Sequence, residues 1–335
     1  MTSVPLSVLD LAPVAAGAGN GAALAATTAL AQRVEELGYH RFWVAEHHNM
    51  PAIASSAPAV LIAHLAARTS TIRVGSGGVM LPNHAPLVVA EQFGTLVALH
   101  PGRIDLGIGR APGTDQLTAL ALRRSVEALS ADDFPQELGR LLAYFDADPS
   151  ASRVRATPGS GDAPDVWLLG SSDFSARLAG LLGLPFSYAH HFSSGGTDHA
   201  LDVYRTSFRP SEALAEPYAM VAVSTICAPT DEEAHWLAGP AGLSFLWLRQ
   251  GRPRALATPE EAAAYPYSPM EREFLAQRHD GQAIGSPDTV TQQLTTLLDR
   301  TAADELMLTT MVYDLDARVR SYELVSEVVA PKLER

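Results

Sequence analysis

Arg41-Phe42-Trp43-Val44-Ala45-Glu46-His47-His48 is the stretch on which the reading of the whole chain turns. An apolar run stops on a carboxylate and two imidazoles, and the Pro- and Ser-containing stretch 49–56 follows. That is a strand feeding a loop. In β/α folds the chemistry collects at the C-terminal mouths of the strands. Glu46, His47 and His48 are therefore the first candidates for reactive groups, with a half-buried structural histidine pair as the competing reading. Adjacent residues of a strand point to opposite faces. His47 and His48 cannot both reach one ion without a bend, so no metal site is expected.

Working outward from this strand, short apolar runs alternate with helical patterns. Strands are expected at 6–11, 42–45, 72–80, 104–108, 166–169, 186–189, 218–227 and 305–310. The first helix shows Leu24, Thr27, Leu30, Val34 and Leu37 at helical spacing and stops at Gly38. Further helices are expected at 57–68, 87–99, from the region after 114 to about 145, at 174–182, 287–300 and 317–329. The Gly-, Pro-, Ser- and Asp-rich stretch 149–164 reads as a long loop. Eight strands alternating with helices predict one α/β domain over 1–335, a parallel (β/α)8 TIM barrel. The span between the seventh and eighth strands is too long for one crossover helix. Its excess, about 239–283, carries five prolines (Pro240, Pro253, Pro259, Pro266, Pro269) and is expected to be a mobile lid.

Composition narrows the function. A 335-residue chain with 47% hydrophobic residues can build a large core. A net charge of -13 supplies no basic field for nucleic acid or for an anionic membrane. Cys227 is the only cysteine, which excludes an intrachain disulfide and a cysteine metal cluster, and its apolar surroundings predict a buried thiol. No basic leader precedes the first strand and no window reaches the roughly 18 apolar residues of a spanning helix, so a cytoplasmic location is expected. Lys332 is the only lysine amid abundant arginine, which reads as the codon bias of a GC-rich genome.

Two more strand ends carry chemistry. Val74-Gly-Ser-Gly-Gly-Val-Met-Leu-Pro82 places Gly77 and Gly78 in tandem within a strand, which calls for a close ligand, a special backbone or a bulge. Gly102-Arg-Ile-Asp-Leu-Gly-Ile-Gly-Arg110 ends on Gly109 and Arg110, and arginine offers phosphate a planar fork. Leu168-Leu-Gly-Ser-Ser-Asp-Phe-Ser175 ends a strand and starts a helix. Ser171, Ser172 and Ser175 can cap that helix or, with its free N–H groups, hold an anion.

These motifs, in this order and together with Leu182-Gly-Leu-Pro185, resemble the bacterial luciferase-like flavin monooxygenases over about residues 5–335. Gly-Arg-Ala-Pro-Gly-Thr-Asp115 resembles the single-chain, non-luminescent members. The resemblance implies that His47 lies near the reactive face of the flavin, flanked by Glu46 and His48. It implies that Gly77 and Gly78 share a cis peptide under the isoalloxazine. Arg110, Ser172 and Ser175 match groups at the flavin phosphate, and Ser171 stands where the luminescent subunit has glutamate. His190 matches an aromatic position beside the ring. Gly109 replaces a reactive cysteine of the luminescent subunit, which argues against light emission and long-chain aldehyde specificity. The implied reaction is two-component monooxygenation: a transient flavin reductase supplies reduced FMN, dioxygen adds at flavin C4a, and the hydroperoxide passes one oxygen atom to a small organic substrate. A homodimer is implied as well. Alternatives are an F420-dependent hydride-transfer enzyme and a non-catalytic flavin-binding protein. His84, Tyr188, His190, His191, Phe192, Phe245 and Trp247 are expected at the mouth, suiting an apolar, aromatic-tolerant substrate such as an aromatic polyketide or other secondary metabolite of antibiotic biosynthesis.

Overall fold

Each apolar run expected to be a strand pairs in parallel with its neighbour. The computed structural model describes residues 3–111, 115–123, 133–148 and 153–333. Its strands are β1 (Leu6–Asp10), β2 (Arg41–Val44), β3 (Arg73–Met80), β4 (Ile104–Gly109), β5 (Asp165–Gly170), β6 (Phe186–Tyr188), β7 (Ala219–Cys227), β8 (Ala283–Gly285) and β9 (Glu305–Thr309). The helices are α1 (Asn20–Glu36), α2 (Pro58–Arg68), α3 (Pro86–Leu99), α4 (Gln116–Arg123), α5 (Phe134–Phe145), α6 (Asp173–Leu182), α7 (Thr197–Ser207), α8 (Asp231–Arg249), α9 (Pro259–Ala264), α10 (Pro269–His279), α11 (Pro287–Thr301) and α12 (Leu315–Leu324).

Strands β1 to β7 follow one another around the sheet, β6 pairs with β7, and β9 joins β7 to β1. This closes an eight-stranded parallel barrel, as expected. β8 lies outside the ring and pairs only with the end of β7, Thr225 opposite Ala283. It is an extra strand that the sequence reading did not anticipate. The inserted region is also more helical than expected, because α8 runs on through Pro240 to Arg249. The expected helix after 114 is seen as α4 and α5; residues 124–132 between them, and 149–152 of the expected loop, lie outside the described residues. Among the described residues no helix is long and apolar enough to cross a membrane.

Most of the core lies between the barrel and its helices, where Phe42, Ile62, Leu65, Phe93 and Leu106 are fully buried. A smaller cluster, which includes Leu9, Trp43, Trp167, Met220 and Met307, packs inside the barrel. Close spacing of β3 and β4 requires small residues: a Cβ on Gly107 would stand 2.1 Å from Ser76 O. Beneath the inner cluster is a buried charged floor. Arg41 donates to Asp105 at 2.9 Å and to Glu305 at 3.1 Å. Arg73 also reaches Asp105, and Trp43 Nε1 donates to it at 2.9 Å. Ser7 and Tyr218 hydroxyls donate to Glu305.

Removing Arg41 would leave two fully buried carboxylates short of their main countercharge. Arg41→Met is expected to lower stability by about 3–5 kcal/mol, the range for breaking a buried ion pair. Urea unfolding of both proteins at neutral pH checks this; a loss under about 1 kcal/mol would show that the floor tolerates the change by taking in water.

Candidate active site

At the C-terminal mouth of the barrel the strand ends surround a cavity of about 190 Å³. Leu9, Trp43 and Met307 form its inner wall, Gly77 and Gly78 contribute backbone, and Gly109, Arg110, Ser171, Ser172 and Ser175 gather at one end. His47 and His191 stand at the other side. His47, Gly77, Gly78, Gly109, Arg110 and the three serines, brought forward from four different strands, thus converge here.

Glu46 does not face the cavity. It is fully buried and works as a tether. His48 Nε2 and His84 Nε2 donate to it at 2.9 Å each, Met80 N–H at 3.0 Å and Asn83 Nδ2 at 3.1 Å. Burial pushes this carboxyl up, but the bond and charge of His84, the bond from His48 and the Met80 N–H outweigh burial. The net shift is downward, so Glu46 is a carboxylate at neutral pH. The two adjacent histidines lie beyond the end of β2 and part from each other: His48 turns to Glu46 and His47 lines the cavity. His84 is likewise engaged with Glu46 and does not line the mouth.

Gly77 and Gly78 are joined by a cis peptide, and the β3–β4 register shifts between Gly77 and Val79. A Cβ on Gly77 would stand 2.7 Å from Leu9 Cδ1; one on Gly78 would stand 2.6 Å from Leu169 Cδ1 and 2.7 Å from Gly107 O. The pair is close-packed backbone that lines the cavity with no side chain.

Arg110 lies over the Phe174 ring, its Cζ 4.4 Å from the centroid. Stacking leaves the N–H edge of a guanidinium open to an acceptor in its plane. Ser172 is the N-cap of α6, but its side chain makes no capping bond, so capping does not account for it. Ser175 is buried in the first turn. Arg110, the three serines and the N-terminus of α6 make an anion-binding end for the cavity. Asp173 in that first turn is exposed.

His190 and His191 were both expected at the mouth, and of the two His191 lines the cavity. His190 is outside the cavity lining; its Nδ1 meets Thr197 Oγ1 at 2.6 Å, on the far side of the β6 loop. His191 lines the cavity, with Nδ1 donating to Ala222 O at 3.1 Å. Burial first, then nearby cationic groups, lowers its pKa to about 4, so a neutral imidazole faces the cavity with Nε2 as acceptor. Tyr188 is also turned away, donating to Ser171 O and Ser193 O. One residue of slippage after a three-residue strand is enough to turn His190 away.

A second cavity, also of about 190 Å³, adjoins the first and shares Leu11, His47, His191 and Phe192 with it. Its outer wall is α8, with Ala238, Gly242, Phe245 and Leu248. Phe245 was expected at the mouth and is there; Trp247 packs away from it against Ala257 and Ala262.

The description "Luciferase-like monooxygenase" belongs to a family model that matches residues 4–305, and the chain is a member of that family. A luciferase-like monooxygenase of Escherichia coli (strain K12) is 45% identical over 326 residues, 97% of each chain. The N-acetyl-S-alkylcysteine monooxygenase of Bacillus subtilis (strain 168) is 36% identical over 333 residues, 97% of this chain and 98% of that one. The solved structure of apo-MsnO8 is 42% identical, with 99% of both chains covered and a TM-score of 0.91. More distant structures share the fold: the FMN complex of the oxygenating constituent of 3,6-diketocamphane monooxygenase from Pseudomonas putida (TM-score 0.75, 22% identity, 99% of both chains) and an F420-dependent secondary alcohol dehydrogenase (0.70, 14%, 100% of both chains).

Gly78→Ala places a methyl against Leu169 and the Gly107 carbonyl. Overpacking of this kind costs about 1–3 kcal/mol. Denaturant unfolding is the check, and an unchanged midpoint would mean that the β3–β4 contact yields freely.

Proposed function

We propose that this chain is the oxygenating component of a two-component flavin monooxygenase, binding reduced FMN delivered by a separate reductase and inserting one atom of dioxygen into a small, mostly apolar organic substrate. One observation carries the reading: a single cavity has an anion-binding end, a backbone wall without side chains and a histidine pair at its far side. The donor set suits a ribityl phosphate, and the glycine wall suits the face of a planar ring. F420 is the rival cofactor.

Reduced FMN, when bound, supplies the two electrons that send one oxygen atom to substrate and the other to water. The protein supplies everything else. Arg110, Ser171, Ser172 and Ser175 hold the phosphate. Gly77 and Gly78 let the backbone approach the ring. Trp43, held by the floor through Asp105, supports the cavity from within. His47 stands at the junction of the two cavities and moves a proton there or donates to the reacting oxygen. Neutral His191 accepts a hydrogen bond at the same junction. Helix α8 and the segment after it cover the second cavity and keep water out. Val60 on α2 and Val88 and Leu99 on α3 are exposed and suit packing against a second copy.

Arg110→Ala is expected to weaken FMN by about 1.5–3 kcal/mol and riboflavin far less. Parallel fluorescence titrations with FMN, riboflavin and F420 test both the phosphate end and the choice of cofactor. Equal losses for FMN and riboflavin would remove Arg110 from the phosphate, and tight binding of F420 with none of FMN would overturn the flavin assignment.

His47→Ala is expected to keep FMN affinity while product formation falls about 10²–10⁴-fold. Hydrogen peroxide release should rise as oxygen reduction uncouples. With a flavin reductase present, N-acetyl-S-alkylcysteines and then aromatic polyketides are the substrates to assay. His48→Ala is the control; if it abolishes turnover while His47→Ala does not, the acting imidazole is the one bound to Glu46.

A further inference from the structure

Among the described residues Arg278 is a cation without an anion. It lines the second cavity from α10, and among the described residues no hydrogen bond or ion pair is formed by its guanidinium. Its fixed contact is aromatic: Cζ lies 3.9 Å from the centroid of Phe245. Phe245 stacks on Phe274 with centroids 5.8 Å apart and planes 5° from parallel, and Arg249 caps the far face of Phe274 at 5.5 Å. The ladder Arg278, Phe245, Phe274, Arg249 clasps α8 to α10 and fixes the plane of Arg278. A ring beneath a guanidinium satisfies none of its in-plane N–H groups, so the fork stays open to a planar, bidentate acceptor.

The rest of this cavity repeats the pattern. The ionisable residues on its wall are Arg254, Arg278 and histidines, with no carboxylate among them, in a chain whose net charge is -13. Burial lowers the pKa of Arg278, and no acidic neighbour offsets that effect. The whole set therefore calls for a ligand rich in acceptors.

We propose that the second cavity is the substrate chamber and that it selects substrates carrying a carboxylate, which Arg278 receives in its fork. The apolar body then lies along Ile226 and Leu248 and presents its reacting atom at the neck by His47 and His191. The chamber assignment rests on the flavin reading of the first cavity; the anion site itself does not.

Calorimetric titration of wild-type protein with 4-phenylbutyrate and with its neutral analogue 4-phenylbutyramide tests this, each with and without FMN. The carboxylate should bind at least tenfold more tightly than the amide. Arg278→Met should weaken the carboxylate about 10- to 100-fold and leave the amide unchanged. Arg278→Lys should restore part of the loss, since it keeps the charge and loses the fork. Equal binding of acid and amide to wild type, no binding of the acid, or indifference of the acid to Arg278 would each overturn the proposal. So would loss of the acid in Arg110→Ala with none in Arg278→Met, which would move the anion to the first cavity. FMN titration of the same samples keeps the two readings apart. If FMN fails to bind while the acid still depends on Arg278, the flavin reading falls and the anion site stands. Should Arg278→Met not fold, the acid–amide comparison on wild type and Arg278→Lys still decides.

Discussion

The barrel rests on one buried guanidinium. Arg41 bridges Asp105 and Glu305, three charged side chains drawn from β2, β4 and β9, at a depth where each alone would be strongly unfavourable. Much of the site inherits its geometry from that bridge. Asp105 also takes the Trp43 N–H, and Trp43 meets Trp167 edge-on at 5.3 Å. Trp43 then forms the inner wall of the first cavity. Gly75 has to be glycine in this setting, because a Cβ there would stand 2.6 Å from Asp105 Cβ and 2.8 Å from Trp43 Nε1. The charged floor and the reactive mouth are thus one stack of side chains along the barrel axis.

At the opposite end a further buried carboxylate does related work. Glu46 gathers a backbone N–H from β3, an amide and a histidine from the loop after it, and the histidine two residues along its own chain. The end of β2 is thereby tied to the end of β3. With His48 and His84 committed to Glu46, His47 is the member of the group that faces the cavity. Positioning and chemistry are divided among neighbouring side chains of similar type.

The barrel was legible because each strand is a short apolar run and each helix keeps a 3.6-residue period. The site was legible where special residues mark strand ends: Glu46-His-His, the Gly77–Gly78 pair, Arg110 and the serines of 171–175. Features that depend on contacts distant in sequence stayed hidden. Nothing local distinguishes Arg41, Asp105 and Glu305 from solvated charges at strand starts. β8 spans three residues and carries no period of its own. Pro240 reads as a helix breaker, yet the flanking turns are buried against β8 and α9 and the helix continues. The turning of His190 away from the cavity follows from where β6 stops, at Tyr188, a boundary that pattern alone places only to within a residue or two. Arg278 gave no signal, since an arginine late in a polar helix is ordinary until its surroundings are known.

The two cavities draw on different parts of the chain. The glycine wall and anion end come from β3, β4, β5 and the start of α6, whereas the outer wall of the second cavity comes from α8 and α10. Those helices supply no strand to the closed ring. Substitutions in them can reshape what is admitted without disturbing the strands that frame the first cavity. The frame of the first cavity and the outer wall of the second are therefore separate stretches of the chain, so the chamber can be reshaped by changes within a single inserted segment.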